Sequence, residues 1–145
     1  MDDHYQVHDL VARYSDAVTR RDEAVFAATW ALDARWQLPG MPMTQGRDSI
    51  VALWNSVMAR FPFVLQRMNN GTVTIDGDTG AGRWYLSEHI TAEDGSLMIN
   101  IGVYQDRYLR TNAGWVFSER HFSMLFHERR ASAESVTTFP YPELI

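Results

Sequence analysis

The stretch GRWYLSEHITAEDGSLMINIGVYQDRYLRTNAGWVFSERHFSM, residues Gly82–Met124, decides the fold. Three runs rich in aromatic and aliphatic side chains are separated by two turn signals. Asp94-Gly95 suits a tight hairpin, because glycine takes positive φ without a Cβ clash. Thr111-Asn112-Ala113-Gly114 suits a slightly longer turn. The stretch therefore predicts three consecutive antiparallel strands. In the middle strand Leu97, Ile99, Ile101 and Val103 share one face, because strand side chains alternate. Met98, Asn100, Gly102, Tyr104, Asp106 and Tyr108 share the other. The first set reads as a dry packing face. The second mixes aromatic bulk, a glycine and isolated polar groups, as a pocket lining does. The plainer reading is one packed face and one half-exposed face.

Outward from this meander, Phe63 to Ile75 reads as a long strand, with a bulge near Asn69-Asn70-Gly71 and a turn at Asp76-Gly77-Asp78. The last strand runs from Trp115 to about Phe126. Upstream, Val7, Leu10, Val11, Tyr14 and Val18 recur at helical spacing, which predicts an amphipathic helix from His4 to Arg20. Asp22 suits the N-cap of a second helix running through Trp30. Ala34 to Leu38 reads as a short strand and Met41 to Gly46 as a loop or edge hairpin. Asp48 or Ser49 caps a third helix with the stripe Ile50, Leu53, Trp54, Val57, Met58 and Phe61, closed by Pro62. Three helices and then long antiparallel strands predict an α+β fold: a curved sheet wrapped around the N-terminal helices, with a cone-shaped cavity. The domain spans residues 1–130, and 131–145 form a tail carrying two prolines. The uncovered sheet face with Leu97, Ile99, Ile101 and Val103 predicts a homodimer or homotrimer.

The bulk numbers narrow the function. With 145 residues there is room for one domain with a real core. A net charge of −5 disfavours nucleic acid and anionic membrane as partners. Cysteine is absent, which excludes disulfides, thiolate metal sites and a cysteine nucleophile. No apolar run is long enough to span a bilayer and no signal-peptide pattern opens the chain, so a cytoplasmic location is expected. Five Trp, six Tyr and seven Phe suggest an aromatic or otherwise apolar ligand. His4 and His8 stand four apart on the first helix, but no third ligand is apparent and no metal site is expected.

The segments RYSDAVTRRD (13–22), WALDARW (30–36), QRMNNGTVTIDGDTGAGRWYLSE (66–88) and GVYQDRYLRTNAGWVFSER (102–120) carry a resemblance. Together they resemble the SnoaL-like branch of the nuclear transport factor 2-like superfamily, from about Val7 to Glu128. The branch includes scytalone dehydratase, bile-acid dehydratases, a hexachlorocyclohexane dehydrochlorinase, polyketide cyclases and relatives of ketosteroid isomerase. The resemblance implies a cofactor-free pocket enzyme, usually a dimer or trimer, that moves a proton on a hydrophobic ring compound. Tyr14 matches the helix-1 tyrosine that polarises a substrate oxygen. Asp106 matches the isomerase's neutral carboxylic acid donor. The dehydratases' acid falls on Thr19 and their histidine near Arg67, while the isomerase's base falls on Leu38. The familiar Asp–His pair is thus absent.

Proton transfer needs a base, a donor to stabilise an oxygen, and a dry pocket. Strand parity turns Trp84, Leu86 and Glu88 inward, together with Asn100, Tyr104 and Asp106. Arg120, Phe122 and Met124 follow on the last strand, while His121 and His89 fall out of phase. Tyr14 and Tyr104 are the expected oxygen donors, against the alternative of core tyrosines bonded to carbonyls. Glu88 or Asp106 is the expected proton carrier, since an apolar cavity raises a carboxyl pKa. The structural alternative pairs Glu88 with Arg67 and Asp106 with Arg120. Arg67 could hold an anionic group and Asn100 a substrate or a water. Phe26, Trp30, Trp36, Leu38, Trp54, Trp84, Phe122 and Met124 are expected as core or pocket wall. The expected activity is a lyase or isomerase acting on a small hydrophobic oxygenated compound. The alternatives are a non-catalytic partner module, like a dioxygenase small subunit, and a SnoaL-type cyclase.

Overall fold

The computed structural model describes residues 2–132 and 134–145. Helix α1 (Asp3–Arg20) is capped by Asp2, whose carboxylate accepts from the His4 N–H at 2.7 Å. Its buried stripe is the one its spacing predicts, with Ser15 and Ala17 added. Arg21 ends the helix in the left-handed region at φ 57°, and its guanidinium holds the Met58 and Phe61 carbonyls. Helix α2 (Glu23–Ala28) starts where Asp22 caps it. It does not reach Trp30. The Phe117 N–H bonds the Thr29 carbonyl at 2.8 Å and draws the chain into the sheet. Strand β1 (Trp30–Gln37) therefore begins four residues earlier than its sequence suggests.

Strand β2 (Thr44–Gln45) pairs antiparallel with β1, so the loop is an edge hairpin. The hairpin feeds straight into α3 (Arg47–Met58). Gly46 occupies the N-cap at φ 94°, a backbone that favours glycine, and donates its N–H to the Ala34 carbonyl at 2.8 Å. Neither Asp48 nor Ser49 is the cap: the hairpin bond fixes the helix start two residues upstream. Pro62 follows the helix by several residues rather than closing it directly.

Four long strands follow: β3 (Phe63–Asp76), β4 (Thr79–Thr91), β5 (Leu97–Thr111) and β6 (Gly114–Arg130). The sheet order is β2-β1-β6-β5-β4-β3, antiparallel except for β1 against β6. The expected bulge lies between Met68 and Asn70. Two more interrupt the β5–β6 ladder, at Ile101/Gly102 and at Arg107/Tyr108. The helices pack into the concave face, and the core sits between the two layers. Phe26 stacks on Trp54 with centroids 4.2 Å apart, and Trp30 packs against Tyr14 and Phe117.

Alternation in β5 is as expected: Asn100, Tyr104, Asp106 and Tyr108 are buried on the concave side. Ile101 and its β6 partner Phe126 lie on the convex face, 38% and 49% exposed. After Arg130 the described residues form no regular structure and are exposed, with Tyr141 lying 6.0 Å from the Arg20 guanidinium. Among the described residues no helix is long and apolar enough to cross a membrane.

Candidate active site

A row of polar side chains crosses the concave face of the sheet. Gln66 on β3 is the register partner of Glu88 on β4. Glu88 is that of Asn100 on β5, and Asn100 that of His127 on β6. Directly opposed residues on neighbouring strands share a face and meet. Here they link into a chain. Ser15 of α1 donates to Gln66 Oε1 at 3.1 Å, and Gln66 Nε2 donates to Glu88 Oε2 at 3.2 Å. The Asn100 side chain, directly opposite Glu88 in register, also favours its charged form. Asn100 Oδ1 lies 2.6 Å from His127 Nδ1. Asn100 thus faces the carboxylate with its NH2 and the imidazole with its carbonyl, which makes Nδ1 the protonated ring nitrogen.

Above this row lies a cavity of about 400 Å³. The polar row floors it, and Val64, Ile90, Leu38, Trp54, Met58 and Phe122 are among its apolar walls. A second polar group enters from the helix side. Tyr14 OH and Tyr104 OH are 3.2 Å apart, and Trp36 Nε1 donates to Tyr104 OH at 3.2 Å. The indole can only donate, so Tyr104 oxygen is its acceptor. One of the two phenol protons is used between the tyrosines, and the other remains for a ligand. Burial pushes both phenols above their ordinary pKa, so both stay neutral donors near neutrality. Arg120 opposes that shift from beneath, its guanidinium 3.7 Å from the Tyr104 ring centroid and 4.4 Å from that of Tyr14. A cation there makes each hydroxyl a stronger donor.

Burial in the apolar cavity also raises the Glu88 carboxyl, against the two amides that face it. Both amides offer N–H groups, which suits the ionised form. Glu88 is thus a carboxylate with raised basicity, open to an apolar chamber whose other wall presents a phenol proton.

Tyr14, Glu88, Tyr104, Trp36, Leu38, Trp54, Asn100, Phe122 and Met124 all line the cavity. Phe26, Trp30 and Trp84 do not. Phe26 and Trp30 fill the core behind it, and Trp84 lies four residues along β4 from Glu88, its indole N–H on Tyr108 OH at 2.8 Å. Asp106 is likewise outside the chamber. Arg120 Nε and Nη2 bond its two oxygens at 2.7 and 3.1 Å, and Tyr108 OH donates at 3.0 Å. Burial raises its carboxyl while the Arg120 charge pulls the other way. Both oxygens being occupied, Asp106 holds Arg120 in place. Arg67 points away from the cavity, because alternation turns its neighbour Gln66 inward; its guanidinium lies 3.5 Å from His89 Nδ1.

Thr19 and Gln66 do meet, at the positions matching the acid and near the histidine: Thr19 Oγ1 accepts from the Gln66 N–H at 3.0 Å. Neither can take a proton from carbon. His121 stays out of phase, paired with Glu119 at 3.0 Å. His127 is the cavity residue that strand parity misses. It shares odd numbering with outward-facing His121, but Leu125 is the extra residue of a bulge, and beyond it β6 has turned over. Gly102 marks the place: a Cβ there would lie 2.2 Å from the Phe122 ring.

Residues 1–121 match the family model described as a SnoaL-like domain. The gamma-hexachlorocyclohexane dehydrochlorinase of Sphingobium indicum is 28% identical over 121 residues, 79% of this chain and 76% of the relative. Two solved structures show the same fold. The hexachlorocyclohexane dehydrochlorinase LinA-type3 of Novosphingobium barchaimii superposes with a TM-score of 0.84 at 22% identity, covering 93% of this chain and 94% of its own. A scytalone dehydratase-like protein of Novosphingobium aromaticivorans gives 0.80 at 14% identity, covering 86% and 85%.

Proposed function

The chain belongs to the SnoaL-like family of the nuclear transport factor 2-like superfamily, and from that premise we propose a cofactor-independent lyase or isomerase of dehydratase type. Its substrate is a small hydrophobic ring compound bearing an oxygen. The observation that carries this reading is Glu88: a carboxylate of raised basicity at the floor of an apolar cavity, opposite a spare phenol proton. The substrate ring lies between the apolar walls. Its carbonyl oxygen takes the free hydroxyl proton of the Tyr14–Tyr104 pair as a hydrogen bond. Glu88 then removes the proton from the adjacent carbon, and the negative charge that moves to oxygen is held by the tyrosines over the Arg120 cation. From the enolate the ring either loses a leaving group on the next carbon or regains the proton elsewhere. The dehydrochlorinase and dehydratase relatives support elimination as the outcome.

The test uses two bicyclic ketones and hexachlorocyclohexane. Deuterium uptake beside the carbonyl of α-tetralone reports proton abstraction alone. Conversion of 3-hydroxy-1-tetralone reports loss of water, and chloride release from hexachlorocyclohexane reports loss of a halide. Glu88→Gln is expected to abolish deuterium uptake, and Tyr104→Phe to slow it by about 10²-fold. Uptake that survives Glu88→Gln at the wild-type rate removes Glu88 as the base.

A further inference from the structure

An elimination has two ends. Glu88 serves the carbon that loses a proton, but hydroxide leaves a carbon slowly unless it departs as water. Something in the cavity must supply that proton. Apart from the tyrosines, the ionisable side chains lining the chamber among the described residues are Glu88, Arg60 and His127. A guanidinium does not serve as a proton donor in general acid catalysis. His127 can.

We infer that His127 is a second proton-transfer residue of this site, delivering a proton from Nε2 to the departing oxygen two strands along the polar row from Glu88. The inference rests on the elimination reading given above. Three features of the structure carry it. First, His127 Nδ1 is engaged by Asn100 Oδ1 at 2.6 Å, and Nε2 has no protein partner among the described residues. The Nδ1 proton therefore stays on Asn100 whether the ring is imidazolium or neutral, and only Nε2 cycles. Second, Asn100 is the common neighbour of both titratable groups, directly opposite Glu88 in register on one side and hydrogen-bonded to His127 on the other. It fixes their relative placement. Third, Glu88 and His127 stand two strands apart in direct register. Their backbones are thus separated by about 10 Å, and both side chains line the same cavity.

Glu88 takes the proton from the carbon beside the carbonyl, and that C–H electron pair becomes the new C=C bond. The bond from the next carbon to its hydroxyl breaks. The hydroxyl leaves with its electron pair and takes the Nε2 proton of imidazolium, departing as water. Glu88 ends protonated and His127 neutral, its Nδ1–H still on Asn100. Exchange with solvent at the cavity mouth restores both.

Dehydration of 3-hydroxy-1-tetralone needs both groups, whereas deuterium uptake by α-tetralone needs only the base. His127→Gln should lower the ratio of dehydration to uptake by about 10²-fold. A separate measurement needs no variant. In the wild-type protein, ¹⁵N spectra should show His127 as the Nδ1–H tautomer when the ring is neutral. A ratio that stays at the wild-type value, or an Nε2–H tautomer, overturns the role of His127 while leaving Glu88 standing. A wild-type protein that neither exchanges nor dehydrates these ketones defeats the proton-abstraction reading, and this inference with it.

Discussion

Glu88 shows at the scale of one residue how burial converts to function and to stability. Its folded pKa is raised, chiefly by desolvation, above that of the unfolded chain. Between the two values the folded protein binds the extra proton, so the contribution of Glu88 to stability is complete below the ordinary carboxyl range and is lost as pH rises through the raised value. At neutral pH an ionised Glu88 is therefore a cost. Glu88→Gln should raise the melting temperature at pH 8 by roughly 2–4 °C, and the gain should shrink toward pH 4, as thermal melts across that range would show. The catalytic consequence has the opposite sign. The base must be ionised, so kcat/KM for deuterium uptake by α-tetralone should climb with pH along a limb displaced upward from where an exposed glutamate titrates, and Glu88→Asp should keep such a limb at reduced rate. A profile that is flat from pH 4 to 8 would contradict the assignment.

At the scale of elements, the β5–β6 pair does the positioning. Asp106 and Arg120 are register partners joined by a buried two-point ion pair, and Arg120 lies under the rings of Tyr14, Tyr104 and Phe117. Removing one partner strands the other's charge in the core. Asp106→Ala should therefore cost about 3–5 kcal/mol, seen as a drop in the denaturation midpoint. Asp106→Leu combined with Arg120→Met should cost less than Asp106→Ala alone, because no charge is then left buried. A combined variant less stable than Asp106→Ala would show that the pair stabilises through more than its mutual neutralisation. The bulge at Leu125 acts on the same strand pair. It allows one strand to present Arg120, Phe122 and Met124 and then His127 to the same side, although the last differs from them in parity.

At the scale of the whole molecule, the fold closes at Arg130. Residues beyond it are exposed wherever they are described, and Tyr141 over Arg20 is a long contact between half-exposed or exposed groups. Ending the chain at Arg130 should shift the melting temperature by no more than about 2 °C; a larger loss in a thermal melt would mean that the tail covers part of the body. The fold itself was legible from the chain because its signals are local. The stripe of α1, the two turns at Asp94-Gly95 and Thr111–Gly114, and the alternation from Met98 to Tyr108 each follow from a few neighbouring residues. Tyr14, Glu88, Asn100 and Tyr104 were legible for the same reason, since each lies on a regular helix or an unbroken run of strand. What failed lay where a distant partner decides. Trp30 left its helix because Phe117, far along the chain, offered a sheet bond. Asp106 turns inward as its parity predicts but belongs to Arg120, since inwardness does not say whether a group meets a cavity or an ion pair. Arg67, expected to hold an anionic group, lies one residue out of phase with the cavity, and the inward position is Gln66. His127 stayed hidden because a bulge changes parity without changing composition. Local sequence thus fixes periodicity, whereas phase across a sheet is set by hydrogen-bond register between strands, and only the assembled ladder brings Glu88, Asn100 and His127 into one row.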